Sequence, residues 1–283
     1  MIISVASGKG GTGKTTVAVN MAVSMGAGVQ ILDCDVEAPN AHLFLKPTIT
    51  ETTPVFVPVP EIDEVKCTHC KKCAEICRFK AIIVIGETVL TFPEMCHSCG
   101  GCMAVCPESA ITEGGRAIGE IEKGTAREIA FVHGRMRVGE AMSPPLIREV
   151  RACRDPERIT IIDAPPGTSC PAVAAMKRVD FVLLVTEPTP FGLHDLKLAV
   201  GAVRILGIPC GLVINRSDIG DDRVREYAAE ENIPVLLEIP FDRKIAHAYS
   251  RGIMMVDDMP EWKNRFRELY RSIAACLGQG GGQ

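Results

Sequence analysis

The chain has 283 residues, 47% hydrophobic and 23% charged, with a formal net charge of −4. This length suits one large α/β domain plus a small one, and the balance permits a sizeable core; the charge gives no global basic signature for nucleic acid. No apolar run approaches the roughly 18 residues of a membrane span, and the N-terminus lacks the charged and apolar regions of a signal peptide.

Ile2, Ile3 and Val5 predict a short buried strand. The next stretch, Gly8-Lys9-Gly10-Gly11-Thr12-Gly13-Lys14-Thr15, meets G-x-x-x-x-G-K-[ST] at every required position, and Thr16 follows it. Glycines let the backbone wrap a phosphate so that successive N–H groups point inward. A helix starting at Lys14 adds the positive end of its dipole. The Lys14 ammonium reaches the β- and γ-phosphates of ATP, and the Thr15 hydroxyl is a ligand for Mg²⁺.

Val29 to Asp35 reads as a second strand, with Cys34 as a small buried residue. Val36-Glu37-Ala38-Pro39-Asn40 breaks it. The proline-rich stretch Pro54–Pro60 reads as an entry linker. Then come Cys67, Cys70, Cys73 and Cys77, and again Cys96, Cys99, Cys102 and Cys106, the last followed by Pro107. Each run has the spacing of bacterial ferredoxins, whose fourth cysteine serves the other cluster. Crossed in this way, Cys67, Cys70, Cys73 and Cys106 hold one [4Fe–4S] cluster; Cys77, Cys96, Cys99 and Cys102 hold the second. Structural zinc would need neither the third close cysteine nor a cross-supplied fourth, and a disulfide framework does not suit a reducing compartment. His69 and His97 read as loop residues, since no cysteine is missing. Arg78 stands after Cys77 where the second run has proline. Apolar segments, Ala81–Ile85 and Ala110–Thr112, follow the two runs and complete an internal repeat.

Beyond Gly115, short strands are expected near Ala117–Ile121 and Glu128–His133, and a helix from Pro144 to Cys153. Ile159–Asp163 is a buried strand leading into Asp163-Ala164-Pro165-Pro166-Gly167. Cys170, before Pro171, reads as a small buried residue. Phe181–Thr186 and Cys210–Asn215 are further strands, with a helix over Leu193–Leu206 between them. The last helix, about 260–277, gathers Trp262, Phe266, Leu269, Tyr270, Ile273 and Leu277 on one face. Packing on the sheet is the preferred reading, and a membrane surface the alternative. Gly278–Gln283 reads as a disordered tail.

Lys9 narrows the class. With it the loop reads K-G-G-x-G-K-T and resembles the deviant P-loop of the MinD/ParA/nitrogenase-iron-protein ATPases. The resemblance implies that Lys9 reaches across a nucleotide-sandwiched homodimer to the partner's ATP, where phosphoryl transfer develops negative charge. The segment Asp33 to Asn40 resembles that family's switch I, which makes Asp35 the residue that orients the attacking water. Asp163 to Gly167 resembles its Walker B strand and switch II: Asp163 holds Mg²⁺ and Pro166-Gly167 bring a backbone N–H to the γ-phosphate. Asn215-Arg216-Ser217-Asp218 resembles the adenine-reading end of a strand, with Asn215 pairing to the base.

The whole chain resembles MinD-superfamily ATPases that contain a ferredoxin domain, relatives of the Mrp-type cluster carriers. The implied fold is a doubly wound, mostly parallel α/β sheet, residues 1–60 and 116–283, with a small α+β ferredoxin-like insert at 61–115. The implied cofactors are ATP/ADP, Mg²⁺ and two [4Fe–4S] clusters. The implied protein is a cytoplasmic, ATP-dependent homodimer with slow, partner-stimulated hydrolysis. Its leading role is ATP-gated electron transfer to a redox partner. The alternatives are delivery of a cluster or metal cofactor, as in Mrp, and MinD/ParA-type spatial regulation.

Overall fold

The computed structural model describes residues 1–279. From the N-terminus run β1 (Ile2–Ala6), α1 (Lys14–Met25), β2 (Val29–Asp33), α2 (Ala41–Leu45) and the long β3 (Thr48–Ile62). A segment of small elements follows: α3 (Lys72–Ile76), β4 (Ile82–Ile85), β5 (Thr88–Thr91) and α4 (Gly101–Ala104). The chain then returns through β6 (Ile111–Ala126), β7 (Ile129–Met136), α5 (Pro144–Ala152), β8 (Ile159–Asp163), α6 (Cys170–Met176) and β9 (Phe181–Thr186). It ends with α7 (Pro190–Leu206), β10 (Cys210–Asn215), α8 (Arg223–Glu230), β11 (Val235–Ile239), α9 (Arg243–Ser250), α10 (Met255–Asp258) and α11 (Glu261–Gln279).

Nine of these strands form one sheet in the order β11-β10-β9-β1-β8-β2-β7-β6-β3. From β11 to β7 all pairings are parallel; β6 and β3 close one edge antiparallel. The central strands β2 and β9 are buried at every residue, as a parallel sheet covered on both faces requires. One face packs against α1, α10 and α11, the other against α5, α6 and α7. Trp262, Phe266, Leu269 and Ile273 of α11 lie inside the first core, each burial contributing roughly 1.5–3 kcal/mol. The last helix therefore packs on the sheet. Among the described residues no helix is long and apolar enough to cross a membrane. Gly278 and Gln279 of the expected tail end α11; residues 280–283 lie outside the described residues.

Two expectations are corrected at the antiparallel edge. Pro54–Pro60 is not a linker but the middle of β3. Val55, Val57 and Val59 alternate inward, and an edge strand tolerates prolines because half of its N–H groups face away from the sheet. The expected strand near Ala117–Ile121 is part of the much longer β6, which pairs with β3 from Thr48↔Thr125 to Ile62↔Ile111. Both arms of this hairpin run across the expected borders of the insert. β7 pairs with β6 only from Ala126 to Gly119, opposite Ile129 to Met136. The hairpin thus projects past the carboxyl end of β7, on the rim where β1, β2 and β8 end, and carries residues 63–110 at its tip.

Candidate nucleotide site and cysteine quartets

β1 leads directly into the glycine-rich loop, where Gly11 and Gly13 take φ of 80° and 95°. A Cβ on Gly13 would stand 2.5 Å from Asn215 Nδ2, so a side chain there would push the end of β10 off the loop. A cavity of about 400 Å³ opens above, bordered by Gly10, Gly11, Gly13, Lys14, Thr15 and Thr16, a size that suits a small-molecule ligand. Asp35, Pro166 and Asn215 border it as well. Gly8, Thr12 and Gly167 stand behind this lining: Gly8 lies against the backbone of Asp195, Thr12 is buried, and the Gly167 N–H donates to Ser7 O at 2.9 Å.

The two expected Mg²⁺ residues meet. Thr15 Oγ1 donates to Asp163 Oδ2 at 2.5 Å, while Asp163 Oδ1 is buried without a partner. Burial pushes the Asp163 carboxyl up to about 7, against the Thr15 hydrogen bond and the Lys14 charge that pull it down. A hydroxyl beside an unsatisfied carboxylate oxygen is a fitting donor set for a hard cation. Lys14 is itself buried; desolvation pushes its ammonium below the usual lysine range, opposed by Asp163, Asp35 and Asp33. Burial likewise raises Asp35, with Lys14 pulling it down. Asp33 accepts the N–H groups of Asp35, Asn40 and Ala41 at 3.0–3.1 Å, which ties the segment carrying Asp35 to the end of β2.

Two expected residues also have partners within the chain. Lys9 Nζ stands 3.8 Å from Glu187 Oε2, and Arg216 Nη1 stands 3.1 Å from Glu187 Oε1; Lys9 is not among the residues that border the cavity. Asn215 borders it, but its Nδ2 donates to Thr12 O at 2.9 Å and its Oδ1 accepts from Arg216 N at 3.0 Å. One amide hydrogen and one oxygen lone pair are left for a base. Cys170 is exposed rather than buried. Pro240, Phe241 and Tyr249, which supply the wall beyond β11, went unread in the sequence. Their signal is Ile239-Pro240-Phe241-Asp242, a proline break at a strand's carboxyl end.

A hydrogen-bonded route links this site to the projecting hairpin. Arg116 of β6 forms a two-point ion pair with Glu140, one contact being Nη2 to Oε1 at 3.3 Å, and both side chains are buried. Ser143 Oγ, three residues on, donates to Glu37 Oε1 at 2.8 Å. Met136 N–H donates to Val36 O and Arg137 N–H to Ile118 O, each at 2.9 Å. Residues 136–143 are therefore fastened to β6 on one side and to the two residues after Asp35 on the other.

At the hairpin tip the eight clustered cysteines sort into two cavities. Cys67, Cys70, Cys73 and Cys106 surround one; Cys77, Cys96, Cys99 and Cys102 surround the other. All are free thiols, so no disulfide framework forms. Among the described residues no group of three or more His, Cys, Asp or Glu is arranged to hold a metal ion. Backbone N–H groups of Ala81, Ser98 and Ala110 donate to the sulfurs of Cys77, Cys96 and Cys106 at 3.3–3.4 Å. Phe79 and His97 stack across the two runs.

A parallel sheet with a phosphate loop after its first strand, and a hydrogen-bonded Thr–Asp pair beside the loop lysine, defines a P-loop nucleotide-binding protein. Residues 3–255 match the family model of the CobQ/CobB/MinD/ParA nucleotide binding domain, and the chain belongs to that family. It is 31% identical over 257 residues to an uncharacterised protein of Methanocaldococcus jannaschii, spanning 89% of this chain and 90% of that one. An iron-sulfur cluster carrier protein of Pyrococcus horikoshii is 27% identical over 303 residues, spanning 99% of this chain and 88% of the relative. Among solved structures, the septum site-determining protein MinD of Pyrococcus horikoshii, complexed with Mg-ADP, shares the fold with a TM-score of 0.61. It is 22% identical, and the match covers 100% of this chain and 99% of that one.

Proposed function

We propose that the protein is an Mg-ATP-hydrolysing iron–sulfur protein, a nucleotide-switched homodimer in which ATP state governs electron transfer through two [4Fe–4S] clusters. The observation that carries this reading is the sorting of eight thiols into two four-cysteine cavities, on the same rim as the phosphate loop. Lys14 binds the β- and γ-phosphates, and Thr15 and Asp163 would hold Mg²⁺, Asp163 through water. Asp35 orients the attacking water; its acidity is poised by burial against the Lys14 charge. Lys9 leaves Glu187 to reach the partner's nucleotide, adding positive charge where the transition state gathers negative charge. Bound clusters supply one-electron transfer. The chain's own part is to hold them on eight thiolates, and to pass movement of the Asp35 segment through Glu37, Ser143, Glu140 and Arg116 to the hairpin.

The test is anaerobic. Iron and acid-labile sulfide should each reach about eight per chain. The cluster potentials should shift by about 60 mV between ADP and a non-hydrolysable ATP analogue, some 1.4 kcal/mol of coupling for one electron. Unchanged potentials would remove the gating claim. A second reading, delivery of a cluster to an acceptor, draws on the resemblance to the iron-sulfur cluster carrier of Pyrococcus horikoshii. It requires loss of iron to an apo-acceptor, whereas electron transfer requires retention. No C-x-x-C lies outside residues 67–106 to serve as a separate carrier site.

A further inference from the structure

The two cysteine runs share a backbone and differ in charge. Aligned residue for residue, His69 matches Ser98, Lys71 matches Gly100 and Lys80 matches Ser109. Their φ angles agree pair by pair: 54° and 55°, 65° and 70°, 54° and 49°. Lys71 thus holds a left-handed position that the second run fills with glycine, at a cost of about 1 kcal/mol. Lys71-Lys72 stands where the second run has Gly100-Gly101. In space, Lys71 and Lys72 border the first cavity together with Glu108, whereas no charged residue borders the second. Lys66 is paired with Asp63 at 2.9 Å. Lys71 and Lys72 are exposed and form no ion pair among the described residues. Lys71 and Lys72 border the cavity of the first quartet, whose Cys70 is exposed. On a chain of net charge −4, this edge reverses the sign of its surroundings.

We infer that this basic edge is the docking surface for an acidic one-electron carrier protein, and that electrons cross to or from that partner at the first quartet rather than the second. The inference rests on the cluster reading given above. A patch of unpaired positive charge beside one redox centre steers an acidic partner to that centre and speeds encounter. The same charges favour the reduced, more negative state of the nearer cluster. The exchange is one electron lost by the donor centre and one gained by the acceptor centre, with no bond or proton involved.

The test uses the full chain, loaded anaerobically, and the double variant Lys71→Gly, Lys72→Gly. This variant writes the second run's sequence into the first on a backbone that accepts glycine. The probes are an acidic flavodoxin and basic cytochrome c. At low salt, electron exchange with flavodoxin should slow about tenfold in the variant while exchange with cytochrome c holds or rises. At about 0.5 M salt the two proteins should behave alike. Calorimetric affinity for flavodoxin should weaken in parallel, a readout that needs no electron transfer. Equal slowing with both probes, or no slowing with flavodoxin, overturns the inference while iron content and cluster spectra leave the cluster reading standing. Salt-sensitive self-association lost in the variant would assign the edge to a second copy, and also overturns it. A chain that takes up no iron fails the cluster reading, and calorimetry then reports separately whether the edge binds an acidic protein.

Discussion

The nucleotide cavity and the cysteine quartets share one rim of the sheet and are held in opposite ways. Around the cavity, Lys14, Asp33 and Asp163 are buried at element ends between two extensive apolar clusters. Within residues 63–110 only Ala81, Ile82 and Ala110 are buried, and Cys70 and Cys99 are exposed. Helices α3 and α4 have five and four residues, too few to be stable alone. The fold organises the first site before any ligand arrives; on the proposed function, the second would depend on what its thiols hold.

The strongest way to break this contrast is to withhold iron. Amide exchange in residues 63–110 should then accelerate by about a thousandfold, while β8 and α1 keep their protection; equal loss in both regions would end the comparison. Next, Lys14→Ala should weaken ATP about a hundredfold, roughly 3 kcal/mol from lost charged hydrogen bonds. Equilibrium binding measures it, and iron content should not change. Replacing the buried Arg116–Glu140 pair by methionine at both positions leaves no charge stranded, so stability should move by no more than about 2 kcal/mol. Redox titration should nevertheless show the nucleotide-dependent shift falling from about 60 mV to below about 20 mV. A full shift in that variant would mean that the two sites communicate by another route. The smallest effect concerns pH. Because Asp163 is raised from its ordinary value to about 7, its neutral form favours the folded, nucleotide-free chain. That contribution is complete below about pH 4 and is lost as pH rises through about 7. Urea titrations should show this decline, and Asp163→Asn should flatten it.

The phosphate loop and the cysteine spacing were legible in the sequence because each packs its chemistry into a few adjacent residues; Thr15 and Asp163, 148 residues apart, were each legible from the short motif that carries it. The parallel strands were legible because full burial leaves continuous apolar runs. What stayed hidden depends on distant partners. The prolines of β3 outweighed the Val55, Val57, Val59 alternation because their acceptability follows from lying on an edge, a property of the sheet. Arg116 and Glu140 are 24 residues apart and look like any solvated charges until the fold buries them. Asn215 was read from its strand-end setting; its hydrogen bond to Thr12 O could not be, since it spans 203 residues.

The unequal pairing of β6 has a mechanical consequence. Its bonds to β7 stop at Gly119, whereas its bonds to β3 continue to Ile111. Beyond Arg116, its last point of attachment to residues 136–143, some 17 Å of two-stranded ribbon extends to Ile111. A cantilever of that length multiplies rotation at its root: a tilt of about 10° there carries the far end roughly 3 Å. On the proposed function, electron exchange would decay exponentially with separation, and a slight rocking at the root would become a large factor in rate at the tip. Neither pocket has to change its internal shape for the gearing to work.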